Sequence, residues 1–91
     1  MQDVTLVIPA KFEADSLPHV LEELKKYSVK KIIIMPKSDT LTFKAIKKYN
    51  CKIIFQKNNG YGSALIQGIL SVRSKYFCIF NADGAFHPKY L

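Results

Sequence analysis

Two short stretches of the sequence place acid, amide and imidazole side chains directly after an apolar run. Pro9–Asp15 (PAKFEAD) carries Glu13 and Asp15, and Asn81–His87 (NADGAFH) carries Asn81, Asp83 and His87. Such groups at the exit of a buried strand are candidates for a binding site, although Asp and Asn also serve there as ordinary turn formers. A third stretch, Asn58-Asn59-Gly60-Tyr61-Gly62, leads through Ser63 into a helical pattern. The free N–H groups of that helix start could face an anion. A tight strand-to-helix turn with close packing at Gly68 reads the same residues without a ligand. The stretch is not a Walker-type phosphate loop, because no G-K-[S/T] follows. Nor is it a dinucleotide fingerprint, because it follows the third strand and Leu65 fills the third small position.

The elements that must hold these loops alternate along the chain. Val4–Ile8 (VTLVI) is a β-branched run stopped at Pro9, hence a strand. Ser16–Tyr27 reads as a helix, with Asp15 or Ser16 as cap, Pro18 in the first turn and Leu17, Val20, Leu21 and Leu24 on one stripe. Glu22 and Lys26 are spaced for an i,i+4 pair. Lys31–Met35 is a second strand, stopped at Pro36, and Asp39 or Thr40 opens a second helix to about Tyr49. Cys51–Gln56 is a third strand. A helix from about Ser63 to Arg73 follows, with Leu65, Ile66, Ile69 and Leu70 expected as its apolar face. Tyr76–Phe80 (YFCIF) is the fourth strand.

Continuous apolar strands alternating with helices predict an α/β fold, a doubly wound parallel sheet covered on both faces. Right-handed crossovers with one reversal give the expected strand order 3-2-1-4. Ligands in such sheets sit beyond the carboxyl ends of the strands at the point of reversal, here between the first and fourth strands. The PAKFEAD and NADGAFH loops meet at that point.

The chain of 91 residues is expected to form a single domain, and its net charge is +7, with lysines spread along it. That charge reads as a solvated surface or as attraction to polyphosphate, nucleic acid or an anionic membrane face. No helix-turn-helix, RNP or zinc pattern is present, so nucleic acid is not the expected partner. The N-terminus shows no signal-peptide pattern and no apolar run is long enough to span a membrane. Cys51 and Cys78 lack ligand spacing and are expected to be buried, reduced thiols of a cytoplasmic protein.

Taken in order, four pieces of the sequence resemble family 2 glycosyltransferases, above all those that transfer sugars to polyprenyl phosphates. They are Val7-Ile8-Pro9-Ala10-Lys11-Phe12-Glu13 with Leu17-Pro18; a strand and turn at Met35–Ser38; Asn58, Gly60, Gly62, Ala64 and Gly68; and Asn81-Ala82-Asp83-Gly84 with Pro88. The resemblance covers essentially the whole chain. It implies a Rossmann-like, GT-A-type fold and a nucleotide-diphospho-sugar donor site. Pro9, Ala10 and Glu13 would line the base pocket, with Lys37, Gly60, Gly62 and Asn81 also on the nucleotide. Asp83, with Asn81, would hold Mg²⁺ or Mn²⁺ on the diphosphate, where the metal acts as a Lewis acid on the leaving group.

This sequence also departs from the family pattern. Met35-Pro36-Lys37-Ser38 stands where an acidic D-D-G-S is usual, and Asn81 replaces the first acid of D-x-D. The acceptor half of the family, with its catalytic base, would follow residue 91. The expectation is therefore the N-terminal donor-binding part of a longer enzyme that acts on a lipid phosphate or a glycan, in the cytoplasm or, at full length, at the cytoplasmic face of a membrane. A non-catalytic nucleotide-binding module of the same fold is the alternative, and a basic nucleic-acid-binding domain the third reading. The apolar fourth strand, left as an edge, is expected to support self-association.

Overall fold

A computed structural model describes residues 4–27, 29–57 and 60–80. The chain runs β1 (Val4–Pro9), α1 (Leu17–Leu24), β2 (Lys30–Met35), α2 (Thr40–Ile46), β3 (Lys52–Phe55), α3 (Tyr61–Leu70) and β4 (Tyr76–Ile79). All three strand pairings are parallel, and the order is β3-β2-β1-β4, as the apolar runs and crossover rule predict. Register is set by pairs such as Ile8 with Ile33, Leu6 with Cys78 and Ile33 with Ile53.

Because successive side chains in a strand point to opposite faces, each buried strand feeds two cores. On one face Leu6, Ile8, Ile33 and Met35 pack with Leu17, Val20, Leu21 and Leu24 of α1 and Ile46 of α2. On the other, Val7, Ile32 and Ile34 pack with Ala64 of α3. The sheet is therefore wound on both faces. Among the described residues no helix is long and apolar enough to cross a membrane.

Several local expectations are corrected. α1 ends at Leu24, earlier than the expected Tyr27, and its acids pair at i,i+3, Glu22 with Lys25 and Glu23 with Lys26. α3 ends at Leu70, short of Arg73. Its buried face is Ala64 and Gly68, flanked by half-buried Leu65 and Ile69, while Ile66 and Leu70 are exposed. The reason is close approach. A Cβ on Gly68 would lie 2.6 Å from Val7 Cγ1 and 2.8 Å from Ile34 Cγ1, so the helix seats on small residues and its larger ones are displaced outward. Cys51 and Cys78 are free but only half-buried, because β3 and β4 are the outer strands.

Gly68→Ala should therefore destabilise the fold, although alanine is the better helix former. The propensity gain is about 1 kcal/mol, and overpacking a filled core costs about 1–3 kcal/mol. The clash is with fully buried Val7 and Ile34, which have little room to yield. Urea unfolding should show a lower midpoint, and an unchanged or higher one would overturn this seating of α3.

Candidate functional site

The carboxyl edge of the sheet is where the first three strands release their loops. β1 ends at buried Pro9, and the Ala10 amide continues the sheet by donating to Ile34 O at 2.8 Å. The chain then turns sharply. Phe12 has φ of 55°, a left-handed backbone that a bulky residue adopts only when held there. Lys11 and Phe12 are exposed, and Glu13 is half-buried.

What holds the turn is Asp39, just past the end of β2. Its side chain is 3% exposed. Oδ2 accepts from the Phe12 amide and, at 2.7 Å, from Thr42 Oγ1, while Oδ1 accepts from the Thr42 amide at 3.3 Å. Thr42 Oγ1 in turn accepts from the Glu13 amide at 3.1 Å. Asp39 thus caps α2 and fastens the first loop to it. Burial works to raise the Asp39 pKa, but the bonds from Thr42 and Phe12 outweigh it and hold the carboxyl below its usual range. The Glu13 carboxylate is oriented locally, accepting from Ser16 Oγ at 2.6 Å.

Each remaining sequence candidate has a definite place or lies outside the description. Lys37 is exposed in the turn after β2. Gly60 caps α3 with φ of 105°, a conformation that requires glycine. Gly62, in the first turn of α3, has open space where a Cβ would stand. Asp15 is exposed at the far end of its loop. Asn81, Asp83 and His87 lie outside the described residues; Phe80, to which Asn81 is joined, is buried, and its amide donates to Val7 O at 3.0 Å. β4 is thereby anchored beside β1, at the reversal point of the sheet.

Two features escaped the sequence reading. Asp39 was legible as a helix cap, but a cap pattern does not reveal that the same carboxylate reaches the first loop. The second is a recurrence of lysine, with Lys11, Lys37 and Lys57 following β1, β2 and β3. All three are exposed at the same edge of the sheet. The α3 start is fixed there as well, since Gln67 donates to Phe55 O at 3.0 Å and accepts from the Lys57 amide at 2.9 Å. The edge therefore combines cations, a helix N-terminus and hydrogen-bonded loops, a setting that favours an anionic ligand. Among the described residues no group of three His, Cys, Asp or Glu could hold a metal ion.

A family model described as glycosyl transferase family 2 matches residues 5–91. Uncharacterized glycosyltransferases of Mycobacterium tuberculosis and Mycobacterium bovis are 27% identical over 82 residues, covering 90% of this chain and 37% of theirs. The chain thus spans little more than a third of the length of these relatives. Mannosyl-3-phosphoglycerate synthase from Rubrobacter xylanophilus superposes with a TM-score of 0.81 at 16% identity, over 97% of this chain and 33% of that one. At that identity the likeness shows the fold, a Rossmann-like sheet of the GT-A type.

The Asp39 network makes a pH-dependent prediction. A carboxyl held below its ordinary value near 3.8 contributes stability that is present above that value and lost as pH falls through the folded pKa. Asp39→Asn should cost about 1–3 kcal/mol at neutral pH, because asparagine keeps one acceptor oxygen and turns an amide nitrogen, which cannot accept, toward either the Thr42 amide or the Phe12 amide and Thr42 hydroxyl. The deficit relative to the native chain should shrink below about pH 4. Urea unfolding at neutral and acid pH measures it, and a deficit constant across that range would contradict this role.

Proposed function

Because the chain belongs to glycosyltransferase family 2, we propose that it is the donor-binding part of an enzyme that transfers a sugar from a nucleotide-diphospho-sugar. The observation that carries this reading is the carboxyl edge itself. The Asp39-fastened loop of β1, the Lys37 turn and the glycine-capped start of α3 are presented together there, beside the β1–β4 reversal. Ligands of open α/β sheets bind at such a point.

In this reading Pro9, Ala10 and Glu13 line the base pocket, and the fixed backbone from Ala10 to Glu13 gives the base a preformed wall. Lys11, Lys37 and Lys57 face the diphosphate. Gly60 supplies the turn, and Gly62 lets the first turn of α3 come close to phosphate oxygens. Asn81 and Asp83 offer an amide carbonyl and a carboxylate, hard oxygen donors of the kind that suit Mg²⁺ or Mn²⁺. Bound there, such an ion would neutralise the charge that develops on a diphosphate leaving group. The acceptor, in this proposal a polyprenyl phosphate or a glycan, would be met by the remainder of a longer protein, at the cytoplasmic face of a membrane in the lipid case.

One observation favours a second reading, a nucleotide-binding module without catalysis. Met35 is fully buried in the core and packs with Ile33 and Leu6, so hydrophobic packing occupies a position where the family resemblance expects an acid. Lys37 is then the charged side chain of that turn.

Calorimetric titration of the chain with GDP- and UDP-sugars, with and without Mn²⁺, separates the readings. Donor binding that strengthens with Mn²⁺ and loses that dependence in Asp83→Ala supports the enzymatic one; metal-independent binding supports the module. Gly62→Ala should leave stability unchanged or slightly higher, since its Cβ meets nothing, while weakening the donor about tenfold or more through lost backbone approach. No donor binding together with tight, salt-sensitive binding of RNA or DNA would replace both readings.

Self-association belongs to the same proposal. β4 pairs only with β1 among the described strands and exposes Tyr76, Phe77 and Ile79, with Ile66 and Leu70 exposed on α3. A paired edge would cover these side chains. Light scattering of the 91-residue chain should show dimers or larger species that grow with concentration, and a monomer at high concentration would refute the association.

A further inference from the structure

At the opposite, amino end of the sheet a cleft of about 390 Å³ opens beneath the end of α3. Its size falls at the small end of the range for small-molecule sites, roughly 300–1,000 Å³. Lys30, Lys31, Lys52 and Arg73 line it. The register explains how Lys30 and Lys52 converge, while Lys31, paired with Leu6, borders the cleft from the opposite face of the sheet. Thr5 pairs with Lys30 and Ile32 with Lys52, and paired or alternate residues of a parallel sheet share a face. Thr5, Lys30 and Lys52 therefore lie on the α3 face, in the space left where α3 stops at Leu70. Arg73 enters from the turn between α3 and β4.

The floor of the cleft is built. Thr5 is 2% exposed, its Oγ1 lies 2.7 Å from Ser74 Oγ, and Ser74 Oγ donates to Tyr76 O at 2.7 Å. The cations are not consumed by the fold. Among the described residues no carboxylate lies within ion-pair distance of any of the four, and both ion pairs found there join Glu22 and Glu23 of α1 to Lys25 and Lys26 just past its end. The carbonyl end of α3 offsets only about half a unit charge, against the three positive side chains of Lys30, Lys52 and Arg73. Lysines supply point charges to phosphate, and arginine can bind two of its oxygens at once.

We propose that this cleft binds a phosphate-bearing anion of the size of a sugar phosphate or a lipid headgroup, at a site separate from the carboxyl edge. The experiment is a titration of the isotopically labelled 91-residue chain with inorganic pyrophosphate, followed by amide NMR shifts. Shifts should centre on Thr5, Lys30, Lys52, Ser71 and Ser74. The combined variant Lys30→Gln, Lys52→Gln, Arg73→Gln, all at exposed positions, should bind about tenfold more weakly or worse. The variant Lys44→Gln, Lys47→Gln, Lys48→Gln removes the same charge from and beside α2 and should bind as the native chain does.

Sedimentation with vesicles of phosphatidylcholine, with and without phosphatidylglycerol, identifies the source of the phosphate. Capture by the anionic vesicles that is lost in the cleft variant supports a lipid headgroup. Pyrophosphate binding without capture supports a free phosphate ligand. The proposal is overturned if neither probe binds, if the two variants weaken binding equally, or if the shifts centre on Ala10–Glu13 and Gly60–Gly62.

Discussion

Asp39 joins two loops that the sheet alone would leave independent. β1 and β2 are neighbours, but their chains leave the carboxyl edge toward different helices. A buried carboxylate that accepts from the Phe12 amide, the Thr42 amide and the Thr42 hydroxyl turns those two exits into one surface. Its burial would be costly if any of those bonds were missing, because an unpaired buried charge is strongly destabilising. All are present, and the left-handed backbone at Phe12 is held by the same contact. The loop is therefore fixed before any ligand arrives, which reduces the ordering cost of binding.

The other side of the site depends on how closely α3 can approach the sheet. Its contact face is made of Ala64 and Gly68, so the helix axis lies nearer to β1 and β2 than a leucine-faced helix could. Gln67 on the same helix reaches the backbone at Phe55 and Lys57. The start of α3 is thus positioned from two directions, by packing against the sheet and by hydrogen bonds to the end of β3. The three described glycines do different things: Gly60 adopts a backbone that other residues rarely adopt, Gly68 makes room, and Gly62 stands in open space. Only the last is free of a folding reason, which is why it bears most directly on a ligand.

Strand order, winding and the exit of the loops after β1, β2 and β3 at one edge of the sheet were legible in the sequence because they follow from periodicity and handedness. VTLVI and KIIIM are unbroken apolar runs, and such runs fit a sheet covered on both faces. The face of α3 was misread for a physical reason. A hydrophobic stripe predicts contact through large side chains, and Leu65, Ile66, Ile69 and Leu70 form one. A helix seated on Ala64 and Gly68 reverses that preference through steric distance, which periodicity does not encode. The half-exposure of Cys51 and Cys78 has a similar origin, since their apolar strands prove to be the outer ones. Asp39 was readable as a cap, but its bond to Phe12 spans 27 positions and depends on the loop path. The positions of Asn81 and Asp83 remain a reading of the sequence and its family.

The two ends of the sheet also change what the net charge of +7 can be taken to mean. From Thr5 to Ala10 the central strand rises roughly 15–20 Å. The Debye length at physiological salt is about 8 Å. Charges in the cleft formed by Lys30, Lys31, Lys52 and Arg73 are therefore largely screened from a diphosphate at the opposite edge. Among the described residues, Lys11, Lys37 and Lys57 are the lysines that stand close enough to that edge to act on a ligand there at short range. The total charge is consequently weak support for a donor site, and the position of each lysine carries the information. The same screening lets the amino-end cleft attract an anion of its own without competing electrostatically for the donor, so one small sheet can offer two anion sites that differ in the groups they present.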